Sequence, residues 1–220
     1  MHALFLSIGA FALLVVWLGP LPAFAERSFA AHMAMHMTVV AVAAPLIAVG
    51  VAGTRVDPAR AMPRFFAPIP ASIIELVVVW AWHAPALHQA ARHNPAVLAL
   101  EQFSFLAAGL LLWIAAVGGS REQRRFRHGA GIVALLFTSM HMTLLGALFA
   151  LAPRLLYTHR PTRADAIGAL ADQHLGGVIM LLVGAASYLA GGLWLTGNLL
   201  ASARSRRPSH IQVPKCEVSS

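Results

Sequence analysis

Residues 29–51 read FAAHMAMHMTVVAVAAPLIAVGV, twenty-three residues without an Asp, Glu, Lys or Arg. A bilayer-spanning helix needs about 20 mostly apolar residues, and no period-two alternation here would suit a strand. The stretch therefore reads as a transmembrane helix. Five further runs around it have the same character: Ala3–Leu21, Ala71–Ala86, Pro95–Gly118, Gly129–Leu151 and Leu175–Leu200. The expected fold is all-α, a polytopic transmembrane helix bundle of about six helices. One helical domain is expected over residues 1–203, followed by a polar tail, 204–220. The roughly ten-residue alternating segments of a β-barrel do not recur.

Composition supports this reading. Of the 220 residues, 59% are hydrophobic and 11% charged, whereas a soluble domain carries about 25% charged residues. The mean hydropathy is +0.72. A soluble fold would lack polar surface, and disorder is excluded by the same numbers. The net charge of +8 would suggest nucleic acid in a soluble protein. Here the charges fall in short loops, where Lys and Arg mark the cytoplasmic face. The single cysteine, Cys216, allows no intramolecular disulfide.

The loops after the second and fourth runs and the tail hold eleven Lys and Arg, and the alternate loops hold five. The positive-inside rule places both termini in the cytoplasm. The loops after the first, third and fifth runs then face outward, into the periplasm of a bacterial inner membrane. Ala23-Phe24-Ala25 resembles a signal-peptidase site, so the first run is read as a retained helix or a cleaved signal. Retention is favoured because no Lys or Arg precedes the apolar part.

Eleven histidines accompany these few polar residues. Ionisable groups inside apolar runs are costly and mark function by default. The densest cluster is HMAMHM, residues 32–37. His32 and His36 share a helix face at i, i+4, with Met35 close to it and Met33 and Met37 on an adjacent stripe. Imidazole with thioether suits copper, and thioether favours Cu(I). With the inferred topology, His32, His36, His83, Glu101, His141, Asp172 and His174 all fall in the outer half of the bundle. The expected metal ligands are His32, His36, His83, Met33, Met37, His141 and His174, with Asp172 and Glu101 behind them. Asp172 is expected to fix the tautomer of a ligand imidazole. His88 and His93 read as solvated in a short outer loop. Glu75 reads as reaching a headgroup region or joining a proton path, and Trp80, Trp82 and Trp113 as interfacial or packing residues.

The motifs in order are HMAMHM, then Ala44-Pro45-Leu46-Ile47, Trp82-His83-Ala84-Pro85 and Leu100-Glu101-Gln102-Phe103-Ser104-Phe105. Met142-Thr143-Leu144-Leu145-Gly146 and Ala171-Asp172-Gln173-His174-Leu175-Gly176-Gly177 follow. From about Phe29 to Met180 this series resembles the CtaG-type cytochrome c oxidase assembly factors of bacterial membranes. Where that family often reads H-x-x-E-H, this chain has Leu98, Glu101 and Gln102. The resemblance implies a non-enzymatic membrane chaperone that matures a haem–copper oxidase, with copper delivery as the expected route. Its partners would be oxidase subunits and the lipid bilayer, not nucleic acid, with a homodimer left open. It makes His32, His36, His83 and Asp172 candidate site residues. Three other readings remain: a b-type haem protein using His36 and His141, a metal-dependent enzyme using Glu101 or Asp172, and a proton-coupled carrier using Glu75, Glu101 and Asp172.

Overall fold

The computed structural model describes residues 1–120, 122, 124–157 and 163–204. His159 and the tail with Cys216 lie outside the described residues. All regular structure among the described residues is helical: α1 (His2–Leu18), α2 (Leu21–Ala25), α3 (Phe29–Met37), α4 (Ala44–Val51), α5 (Pro58–Ala61), α6 (Pro68–Trp82), α7 (Pro85–His93), α8 (Pro95–Val117), α9 (Arg124–Ala150) and α10 (Arg163–Arg204). Among the described residues, four helical spans are long and apolar enough to cross a membrane, and a bent pair makes a fifth. Helix α1, at 17 residues, is the remaining apolar helix. This is a membrane protein.

Two breaks shape the site. The span at 29–51 is one rod, but a π-helical turn over Thr38–Ala43 joins α3 to α4. Pro45 has no N–H for the Ala41 carbonyl, and its ring crowds that carbonyl. The ladder lengthens there, with the Ala44 N–H bonding to the Val39 carbonyl five residues back. The second break separates α6 from α7, which are bent by 70°. Ala84 is extended (φ −65°, ψ 137°), the conformation favoured before a proline, and Pro85 restarts the chain as α7. The region read as a short outer loop is thus mostly helix. Asn94 then caps α8, accepting from the Ala96 N–H at 2.9 Å.

Helix α10 packs along α9 and α3. At Gly177 a side chain has no room, because a Cβ would stand 2.7 Å from the Gly146 carbonyl oxygen and 2.9 Å from Ala150 Cα. The opposite end of the bundle is clamped by two buried charges. Asp57 accepts from the Gly53, Ala59 and Gly119 N–H groups at 2.8, 3.0 and 2.9 Å. Arg127 donates to the Phe66 and Ala115 carbonyls at 2.7 and 3.1 Å.

Candidate metal centre

Helix α3 is fixed at its first turn. Ser28 caps it, accepting from the Ala31 N–H at 3.1 Å, and its own hydroxyl donates to Asp172 of α10 at 2.7 Å. The Asp172 carboxylate also accepts from the Phe29 and Ala30 N–H groups. A carboxylate at a helix N-terminus satisfies orphan donors and complements the helix dipole. Asp172 is therefore committed to holding α3, rather than to an imidazole as the sequence suggested. Its neighbours act similarly. Gln173 accepts from the Leu156 N–H at 2.8 Å, and His174 Nε2 lies 2.9 Å from the Ala152 carbonyl. Asp172, Gln173 and His174 stitch α10 to α3 and to the loop after α9.

With α3 so placed, His32 and His36 face α6, α7 and α8. His32 Nε2 lies 3.2 Å from Glu101 Oε1, with both side chains buried. With the carboxylate as acceptor and Nε2–H as donor, a neutral His32 ring keeps its lone pair on Nδ1. Gln102 Nε2 donates to the other Glu101 oxygen at 3.2 Å. The His88 ring stands 4.9 Å from that of His32, edge to face. Nitrogen or oxygen atoms of His32, His88 and Glu101 lie within 4.8 Å of one another. One turn along α3, the His36 ring stands 5.3 Å from His83 and 4.0 Å from Phe105. His83 Nδ1 lies 2.6 Å from the Val79 carbonyl, four residues back. That bond places the proton on Nδ1 and presents Nε2 as a lone pair, an arrangement that orients metal-bound imidazoles.

His32 Nδ1, His83 Nε2 and both nitrogens of His36 and His88 are buried without a hydrogen-bond partner. A buried polar atom left unpaired costs about 1–3 kcal/mol. Two pairs of such rings, His32 with His88 and His36 with His83, fit metal coordination better than they fit an apolar core. Imidazole suits copper, zinc, iron and nickel.

The structure sorts the expected ligands. His32, His36, His83 and Glu101 come together. Met33 and Met37 are buried but turn to α10, Met33 beside Gly176 and Met37 beside Gly184. Their 100° offset per residue from His32 and His36 takes them off the imidazole face. His141 is buried, with its nearest ring Phe137 at 5.8 Å. It lies one turn beyond Thr138, whose hydroxyl bonds to Glu75 at 2.9 Å. Phe149, which does reach His83 (5.6 Å), is eight residues further on, about 12 Å along the helix. His174 is held on Ala152. His88 corrects the sequence reading in the other direction: it is fully buried, not solvated. The Pro85 restart and the His88–Ala91 spacing on one helix face were the signals available for it. Glu75 is likewise buried and does not reach a headgroup region. Thr138 and Tyr188 each donate to one of its oxygens. Trp82 and Trp113 are buried packing residues, Trp82 donating to Ser104 at 2.7 Å.

Tyr157 covers the cluster. Its ring is stacked on His88 at 4.1 Å, and Phe29 stands 5.5 Å from it. Burial pushes the Tyr157 phenol above its ordinary range, and the nearby Glu101 adds to this, so the hydroxyl remains a donor. Behind Phe29 and Tyr157 is a cavity of about 370 Å³, lined also by Arg27, Ser28, Arg92 and Asp172.

No curated protein and no solved structure matches the chain. One family model, described as cytochrome c oxidase caa3 assembly factor, matches residues 2–202. That match covers every helix that builds the imidazole cluster, and the chain belongs to the cytochrome c oxidase caa3 assembly factor family.

Proposed function

We propose that this protein binds or delivers copper during assembly of a haem–copper cytochrome c oxidase, with His32, His36, His83 and His88 as the imidazole donors. The observation that carries the reading is the set of buried, partnerless ring nitrogens on α3, on α7 and at the α6–α7 break. Glu101 holds His32 and places a carboxylate beside the same rings. Copper is here the cargo, and the role is assembly rather than turnover. The Lys and Arg distribution supports an orientation with this end of the bundle facing the periplasm of a bacterial inner membrane and both termini in the cytoplasm. A haem held between His36 and His141 is less well supported, since the rings around His36 are His83 and Phe105 and the ring beside His141 is Phe137.

The test compares two double variants, each confirmed at normal membrane level. His36→Leu/His83→Leu should carry less copper in the detergent-purified protein than the parent does, and should leave the oxidase copper-deficient but haem-loaded. Met33→Leu/Met37→Leu should keep both copper and oxidase activity. Unchanged copper and oxidase activity in the histidine variant would defeat the proposal.

A further inference from the structure

The cluster is not uniform. Its five side chains divide into two groups stacked along α3, and the groups differ in donor chemistry. Nearer the start of α3, His32, His88 and Glu101 offer two nitrogens and a carboxylate oxygen within 4.8 Å of one another. One turn deeper, about 6 Å along the axis, His36 and His83 offer imidazoles alone, walled by Phe105 and Phe149.

We infer that these are two adjoining copper sites of different charge preference: His32, His88 and Glu101 for Cu(II), His36 and His83 for Cu(I). The inference rests on the copper reading above and goes beyond it by separating the oxidation states.

The charge balance is the first argument. Isolated charge is costly in a buried, apolar setting. A divalent ion with one carboxylate and two neutral imidazoles has a net charge of one. So does a monovalent ion between two neutral imidazoles. A divalent ion at His36 and His83 would instead put two uncompensated charges among phenyl rings. Donor type is the second argument. Mixed nitrogen and oxygen donors suit Cu(II), whereas carboxylate is a poor match for the softer Cu(I). A closed-shell Cu(I) ion accepts two neutral nitrogens in line, and His83 Nε2 is already presented as a lone pair by the bond of Nδ1 to Val79. The third argument is what is missing from both groups. Met33 and Met37 face α10, so no thioether from them pulls Cu(I) toward the carboxylate group.

The experiment uses the full chain purified in detergent. Cu(II) is added aerobically and read by electron paramagnetic resonance. Cu(I) is added anaerobically with ascorbate and read by competition with bicinchoninate. Glu101→Gln, which keeps an acceptor for His32, and His88→Leu, which leaves the His32–Glu101 pair intact, should each weaken Cu(II) binding by at least about tenfold, the scale seen when metal-site partners are removed. Both should leave Cu(I) affinity within about twofold. His36→Leu should do the reverse. Parallel losses of both ions in any of these variants, or an unchanged Cu(II) spectrum in Glu101→Gln and His88→Leu, would overturn the two-site inference while leaving copper binding intact. A wild-type protein that binds neither ion would overturn the copper reading itself.

Discussion

The Tyr157 hydroxyl donates to the backbone carbonyl of His83 at 2.7 Å while its ring lies against His88 at 4.1 Å. One side chain from the loop after α9 thus holds both sides of the α6–α7 break. His83 and His88 flank that break, where Ala84 is extended and Pro85 opens α7. Tyr157→Phe should keep the stacking and lose one hydrogen bond, lowering stability by about 1 kcal/mol. Tyr157→Ala removes the cover as well and should release bound copper faster than Tyr157→Phe does. Thermal unfolding in detergent and copper dissociation kinetics measure the two effects. Equal release rates in the two variants would show that the ring does not cover the site.

Asp172 acts on the site from a distance, through the start of α3. Asp172→Ala removes the acceptor for Ser28, Phe29 and Ala30 together. Loss of a helix cap costs about 0.5–2 kcal/mol. The expected outcome is a small drop in melting temperature and weaker copper binding, because His32 lies in the first turn of α3. Asp172→Asn retains acceptor capacity and should fall between Asp172→Ala and the parent protein. A full loss of copper with an unshifted melting temperature would instead mark Asp172 as a direct ligand.

Glu75 joins three helices, with Thr138 of α9 at 2.9 Å and Tyr188 of α10 at 3.0 Å. Tyr188 in turn stacks on Trp113 of α8 at 5.7 Å. Glu75→Ala should leave two buried hydroxyls without their acceptor, at about 1–3 kcal/mol each. Glu75→Gln keeps an acceptor of the same length and should cost less. Melting temperatures of the two variants give the comparison. Copper binding should survive in Glu75→Gln, since Glu75 lies two turns below His83 on α6.

The orientation proposed from the Lys and Arg distribution has the tail in the cytoplasm. A membrane-impermeant thiol reagent should leave Cys216 unlabelled in intact spheroplasts and label it after permeabilisation. Labelling before permeabilisation would reverse the orientation and put the imidazole cluster on the cytoplasmic side.

Several features could be read from the chain alone. Long uncharged runs must cross a membrane as helices, because lipid offers the backbone no hydrogen bonds. That argument needs no tertiary contact, and it gives the spans at 29–51, 95–117 and 125–150 within a few residues. The i, i+4 spacing of His32 and His36 likewise forces them onto one helix face, and the family resemblance follows from motif order. What sequence spacing does not encode is which helices meet that face. His88 depends on a 70° break that returns α7 against α3, so a residue that reads as loop becomes fully buried. Met33 and Met37 are adjacent to the histidines in sequence, yet one residue turns a side chain by about 100° on a helix, which sends them to α10. His141 shares the apolar run with Phe149, but two turns of α9 separate its level from the cluster. Asp172 has the chemistry to hold an imidazole, and only the placement of α10 beside Ser28 commits it to a helix start. Helix formation in a membrane is decided locally by the backbone, while the composition of a site is decided by the distances between helices.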